Sequence, residues 1–531
     1  MAISSAPKLR IEMGVNRTRS WGMLAICAVL IAPLFFVEVP PLLDYPNHLA
    51  RLYAEEYLDK NATLAQFFAA RWGIIPDLGI DIIAIPLISA FPVFLAGRVL
   101  IAISMLAVFL GAEVYSRAIL SDKKTYWSLG AGFVVINQTM LLGFLNFNLA
   151  LGLSLCLGAY WVRYRDIRPA STILTAGLGV ILLFFCHISG VLFFGLLIAG
   201  YEITRGLANL KHSAILVASR DILGRGAALC LVFSGALLLY YLSEFHGDGG
   251  AIQYPELTAK VVNLVYGPFV NYERKIDFLT VISIYCFILY GIIFNKIKIP
   301  YQSAISMLLV VCCYVVFPSS MKGVAYVDTR FAILFGVLMF SGVDFENVPL
   351  SVRRAVFGYF SVLFLSRMAI VCLAWASHAE TLAALRTIEA LVQPGQTVLS
   401  ATISRPEGSS APPPASRLSN GTGTATHMPA LLLIDRQAWW PAMFSKTAQQ
   451  PIIIKEPYGR LARRTGLVRL AGELQASNAV NLCGFDRVLL LRDGASTDPA
   501  TFNSYRLHLV QANQVAALYD VTDAVDCRAA P

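Results

Sequence analysis

The segment Pro40-Pro41-Leu42-Leu43-Asp44-Tyr45-Pro46-Asn47-His48-Leu49-Ala50-Arg51 sets a carboxylate, an imidazole and a guanidinium close together, directly after an apolar run from Trp21 to Val37. A carboxylate just beyond a hydrophobic segment can take the proton from a hydroxyl while a neighbouring carbon loses a phosphate leaving group. Phosphate is a weak base, so this chemistry needs a base near the reacting oxygen and no acid partner. Asp44 has a second use. Ahead of Pro46 it is a good helix N-cap, with the proline in the first turn where its missing N–H costs nothing. Locally, both uses stay open.

A phosphate held at such a place needs cations or directed donors. Candidates are Arg51, Arg71 before Trp72, Arg98 at the start of the next apolar run, and Lys322 and Arg330 around the short loop that begins at Pro318. Arg51 and Arg71 could equally be solvated or snorkelling, and Asp328 to Arg330 a local ion pair. Arg367 lies well inside Phe360 to Trp375, where an arginine is costly unless it faces a partner or a cavity. His48 and His187 could donate to a phosphate or ligate a metal, or simply be polar residues at span ends. Asn146 and Asn148 could bind sugar hydroxyls or satisfy backbone where two helices meet. A divalent cation stays an open option without a motif: Asp44 with His48, and Asp77 with Asp81, are each four residues apart, and neither pair provides enough oxygen ligands. No P-loop, zinc motif or nucleophile elbow occurs.

The elements that must position these residues are membrane helices. With 57% hydrophobic and 14% charged residues, a chain of 531 residues cannot hide its apolar surface in a soluble globule. About eleven spans are expected, near 21 to 38, 93 to 117, 127 to 143, 145 to 162, 171 to 186, 188 to 203, 226 to 242, 276 to 294, 302 to 317, 331 to 345 and 356 to 376. The net charge of +9 is informative by location, because basic loops mark the cytoplasmic side, and it gives no reason to expect nucleic acid as a partner. Alternate loops are the basic ones: Arg117, Lys123 and Lys124; Arg163, Arg165 and Arg168; Arg205, Lys211, Arg220 and Arg225; Lys296 and Lys298; Arg353 and Arg354. Residues 1 to 20 therefore stay inside, and 39 to 92 form an outside loop. Ile74 to Phe91 is apolar enough to tempt a span assignment, but that would invert every later loop, and it contains Pro76, Asp77, Asp81 and Pro86. It reads as an interfacial helix, as does 47 to 57, where Leu49, Leu52, Tyr53 and Tyr57 share one face.

Beyond the 21 to 376 membrane region the composition changes. Residues 377 to 531 read as a small α/β extracytoplasmic domain, with a helix at Leu382 to Leu391, strands near 397 to 401, 430 to 434, 451 to 454 and 487 to 491, and a Ser, Pro and Gly-rich run from Ser404 to Thr426. Eight of the ten cysteines fall in apolar stretches. Cys483 and Cys527 lie in the tail and could pair if it faces an oxidising compartment.

Asp44 after the first span, helices in the first outside loop, and Arg98 opening the next span together resemble the GT-C superfamily of polyprenyl-phosphate-dependent glycosyltransferases. That superfamily includes protein O-mannosyltransferases and lipid A aminoarabinose transferases. The resemblance covers roughly residues 20 to 375 in architecture. It implies a membrane glycosyltransferase of a bacterial cytoplasmic membrane, with a polyprenyl-phosphate-linked sugar donor, an envelope acceptor on the periplasmic face, and surrounding membrane lipids. Asp44 would be the base, with His48, Arg51, Arg98, His187, Lys322, Arg330 and Arg367 as the pool of substrate contacts. The paired Asp-Glu of the mannosyltransferases is absent, since Tyr45 follows Asp44, so mannose and protein acceptors are not implied. Pro318 with Lys322 or Arg330 is similar to the family's lipid-phosphate region. A lipid or sugar transporter, or a non-catalytic scaffold for which Asp44→Asn would be silent, are the competing classes.

Overall fold

The computed structural model describes residues 17–120, 126–212, 215–247, 250–345, 348–404, 417–465, 482–493, 498–504 and 506–522. Lys123, Lys124, Cys527 and most of the Ser, Pro and Gly-rich run lie outside them.

The membrane body begins with α1 (Arg17–Ile31) and a 3-10 turn ending at Phe35. Then come α2 (Tyr45–Tyr57), α3 (Ala62–Phe67), strand β1 (Phe68–Ala70) and α4 (Gly79–Ala90), all within the expected first outside loop. The helix α5 (Val93–Ile119) follows Pro92, which fixes its first turn. The expected span 127 to 143 is broken: a 3-10 turn at Trp127–Ala131 leads into α6 (Gly132–Val135) and α7 (Gln138–Leu141). Asn137 causes the second break. Its backbone is extended, and its side-chain oxygen caps α7 by accepting the Met140 N–H at 3.0 Å. The segment still runs from one end of the body to the other, since Trp127 donates to the Met339 carbonyl while Leu141 and Leu142 accept from Leu43 and Asp44.

Long helices complete the body: α8 (Leu145–Tyr164), α9 (Pro169–Cys186), α10 (Ile188–His212), α11 (Ile215–Leu242), α12 (Leu257–Tyr266), α13 (Arg274–Ile293), α14 (Tyr301–Val316), α15 (Val327–Ser341) and α16 (Leu350–Glu389). Among the described residues, seven helices are long and apolar enough to cross a membrane, and the chain is a multi-pass membrane protein. Two short antiparallel pairs close its ends, β2 (Ile297–Lys298) with the distant β5 (Asp344–Phe345), and the hairpin of β3 (Ser320–Met321) with β4 (Val324–Ala325). Of the cations expected inside, Arg165, Arg205 and Arg225 gather at the end opposite Asp44. There Arg165 and Arg225 pair with Glu202 at 3.4 and 2.8 Å, and Arg205 with Asp166 at 2.6 Å.

The tail folds on a four-stranded sheet of order β6-β8-β10-β9, made of β6 (Val398–Ser404), β8 (Arg487–Asp493), β9 (Leu507–Ala512) and β10 (Ala516–Val521). Only β6 and β8 are parallel. Around it lie β7 (Ile452–Ile454), α17 (Leu431–Arg436) and α18 (Tyr458–Thr465). The helix α16 passes through residue 377 without a break, so the sheet begins only after Glu389. Cys483 is disulfide-bonded.

The first loop and the tail share one apolar core. Ala50, Ala54, Phe67 and Phe68 pack with Leu433, Trp439 and Trp440, all fully or nearly fully buried, and β1 pairs antiparallel with β7. Truncating a buried tryptophan of this kind costs about 3–5 kcal/mol.

Candidate active site

Asp44 stands at the N-cap position of α2, yet its side chain makes no capping hydrogen bond. Its backbone has helical angles, φ −89° and ψ −12°, which turn the carboxylate away from the free N–H groups of the first turn. The Leu43 and Asp44 N–H groups instead donate to Leu141 and Leu142 at 3.1 and 3.0 Å, which ties the turn to the broken α7 segment. The carboxylate faces His427 Nε2 at 3.8 Å. Burial pushes its pKa up to about 7. An acid poised there is half ionised near neutrality and suits general-base work.

Asp44 lines a cavity of about 1180 Å³. The cavity brings together six of the eight residues singled out from the sequence: Asp44, His48, Arg51, His187, Lys322 and Arg330. Its polar end is built by α2, the turn before α4, the β3–β4 hairpin and the tail residues Phe444 and Lys446. Its apolar flank is built by α10 and α11. Leu192 and Leu237 on that flank are 44% and 65% exposed, so this side stays open to the apolar surface of the body.

The cations differ in how far they are already spoken for. Arg51 is buried between Asp81 and Glu55, the latter at 2.5 Å, so its charge is neutralised within the protein. Lys322 sits in the hairpin turn with φ +53°, followed by Gly323 at φ +72°, a two-residue turn of the kind that suits a twisted hairpin. Arg330, in the first turn of α15, stacks its guanidinium over Phe144 and Phe147 at 5.4 and 5.7 Å. Its one hydrogen bond to a described residue is a long contact of 3.5 Å to the Ala325 carbonyl, its Nε is buried without a partner, and no described carboxylate pairs with it. Arg330 is thus a buried cation with donors to spare.

His187 caps α10 by accepting the Ser189 N–H on Nδ1 at 3.0 Å, and burial together with Arg330 pushes its pKa well below the ordinary value. Burial and Arg51 do the same to His48, whose ring lies 5.0 Å from that of Phe444. Both imidazoles are neutral, able to donate one hydrogen bond each to an anion.

Arg98 and Arg367 lie elsewhere. Arg98 donates to the Leu34 carbonyl at 3.2 Å, closing the end of the first 3-10 turn. Arg367 pairs with Asp277 at 2.6 Å and donates to the Phe269 carbonyl at 2.8 Å. Its partner lies on α13, which satisfies the guanidinium inside the bundle and keeps it out of the cavity. Asn146 is also structural, accepting from Ile80 N–H at 2.6 Å and donating to the Asp77 carbonyl at 2.7 Å.

Two residues were not assigned a role from sequence: Asp77, which lines the cavity, and His427, which stands behind Asp44. Asp77 holds a strained backbone, φ +119°, and has a buried, unpartnered Oδ1. Burial and the neighbouring Asp81 keep its pKa well above the carboxylate range. A local signal existed, since Pro76-Asp77 interrupts an apolar run. His427 is the other, and nothing near it in the chain signals a site. Among the described residues, no three His, Cys, Asp or Glu side chains gather closely enough to hold a metal ion.

No family model and no curated protein matches the sequence. The fold does have solved counterparts. ArnT from Cupriavidus metallidurans in the apo state matches over 95% of this chain and 98% of its own, with a TM-score of 0.51 at 10% identity. The same protein bound to undecaprenyl phosphate matches over the same shares with a TM-score of 0.49 at 10% identity. The chain therefore shares its overall fold with that protein over nearly its whole length.

Proposed function

We propose that this protein is an inverting membrane glycosyltransferase that moves a sugar from a polyprenyl phosphate to an envelope acceptor, with Asp44 as the general base. One observation carries the proposal. A carboxylate free of capping duty and a buried arginine that pairs with no described carboxylate line the same cavity, whose apolar flank is open. The polar end suits a sugar phosphate and the open flank suits a polyprenyl tail.

Asp44 takes the acceptor hydroxyl proton as the acceptor oxygen attacks the anomeric carbon from the face opposite the phosphate. The carbon–oxygen bond to phosphate breaks with its electron pair on the phosphate oxygen. Arg330 and Lys322 stabilise that charge, and neutral His48 and His187 add donors. Arg51 holds the α2–α4 frame and is not among the phosphate contacts. The reaction is assigned to the periplasmic face of a bacterial cytoplasmic membrane. The disulfide at Cys483 supports an oxidising compartment for the tail, and the cationic cluster supports a cytoplasmic location for the opposite end.

The test is to incubate purified protein with polyprenyl-phosphate sugars and candidate envelope lipids, and to follow released polyprenyl phosphate in wild type, Asp44→Asn and Arg330→Gln. Equal transfer by wild type and Asp44→Asn removes Asp44 from the chemistry. Absence of transfer with every donor returns the protein to the transporter or scaffold class.

A further inference from the structure

His427 reaches the Asp44 carboxylate from the far end of the chain. It precedes the 3-10 turn Met428–Ala430, is 7% exposed, and packs its ring 6.0 Å from Trp440 and 5.0 Å from Phe444. Its Nε2 lies 3.8 Å from Asp44 Oδ1, and its Nδ1 lies 2.9 Å from Asn47 Nδ2.

The orientation of Asn47 follows from its other partners. Its Oδ1 accepts the Phe444 N–H at 2.9 Å, and its Nδ2 donates to the Ala442 carbonyl at 2.9 Å. A backbone N–H only donates and a carbonyl only accepts, so the amide cannot be turned round. The group facing His427 is therefore an N–H donor, and Nδ1 must be its acceptor. A neutral imidazole that accepts on Nδ1 carries its proton on Nε2, which here is the nitrogen facing Asp44.

We propose that His427 is a positioning residue for the base: a neutral imidazole, its tautomer fixed by Asn47, that donates Nε2–H to one oxygen of Asp44 and leaves the other for the acceptor hydroxyl. This rests on Asp44 acting as the base. His427 does not receive the proton, because its facing nitrogen already holds one; the acceptor proton ends on Asp44. The 3.8 Å separation is long for a hydrogen bond, and catalytic contacts of this kind tighten when substrate fills the site. Donation to a carboxylate favours its ionised form and so opposes the cost of burial. Other ionisable groups around the pair include His48 and Arg51 on α2, Asp77 before α4, Lys322 on the hairpin, Arg330 on α15 and Lys446 in the tail. A His427 substitution leaves them all in place.

A hydrophobic carbodiimide labels carboxyls in their protonated form, so the pH dependence of Asp44 labelling, read by peptide mass spectrometry on the full-length protein with polyprenyl phosphate filling the cavity, reports its ionisation without turnover. His427→Leu raises the labelling midpoint by about one pH unit, the size expected for losing one donor to a carboxylate. His427→Gln, which keeps an N–H, stays near wild type. The rising limb of kcat/KM for sugar transfer moves with the same variants. An unshifted or lowered midpoint in His427→Leu, or an equal shift in both variants, overturns the positioning role whatever transfer does. A raised midpoint in His427→Leu alone, with a fully active Asp44→Asn, supports the pairing and overturns only the base assignment beneath it.

Discussion

Gly143 lies so close against the Asp44–Tyr45 peptide that a β-carbon on it would sit 2.8 Å from the Tyr45 nitrogen and 3.2 Å from the Asp44 nitrogen. Its φ of +87° is one that residues with a β-carbon rarely adopt. Gly143→Ala is expected to push the Asp44 turn off its two backbone hydrogen bonds, with at least a tenfold loss of sugar transfer. Ala is too small to block the cavity, so a variant with wild-type transfer would show that the turn tolerates displacement.

Asp44→Asn separates activity from stability. Losing a positioned general base lowers the rate by about 10²–10⁴-fold. Burial raises the folded-state pKa to about 7 from an ordinary value of 3.8, so the folded chain holds this proton more tightly than the unfolded chain. Stability from this group therefore falls as pH rises between those two values, and the full cost, roughly 4 kcal/mol as an upper figure, is present above 7. Asn carries no charge to bury. The variant should unfold at a higher temperature than wild type at pH 8 and show a smaller gain at pH 5; a destabilised variant at pH 8 would contradict the burial argument.

For the wild type, the same elevation predicts that kcat/KM rises with pH through about 7 and then levels off. A profile flat across the neutral range would mean that another group is the base.

Arg330 and Arg367 should fail differently. Arg330→Gln removes a guanidinium that pairs with no described carboxylate, so the fold should persist while donor KM rises roughly tenfold to a hundredfold. Arg367→Leu leaves Asp277 buried without its partner and should cost about 3–5 kcal/mol of stability. Adding Asp277→Leu should recover much of that loss, measured by thermal unfolding in detergent. Equal loss of donor affinity in the two single variants would refute the distinction.

What could be read from sequence was local or periodic. The helices of the first loop were legible, α2 because its apolar and charged residues repeat at helical spacing and α4 because an apolar run containing Pro76, Asp77, Asp81 and Pro86 makes a poor span. The break in 127 to 143 had a local cause in Asn137 that hydropathy overrides. Arg367 read as a phosphate candidate because its carboxylate, Asp277, is 90 residues away, and Arg51 because one of its two, Asp81, is 30 away, though Glu55 is only four. His427 was invisible, since its bond to Asn47 spans 380 residues and depends on how the tail folds over α2.

The shared core of loop and tail also bears on how the molecule is made. Phe444, Lys446 and Gln450 wall a cavity whose acid lies in the first loop, and β7 completes a sheet that β1 begins. During synthesis the Asp44 end of the chain emerges long before those residues exist. A nascent chain stalled anywhere in the bundle therefore has the carboxylate but no enclosed pocket around it. Enclosure arrives only once Phe444, Lys446 and Gln450 have been made and have folded over α2, which makes closure of the site a later step than formation of the Asp44 turn.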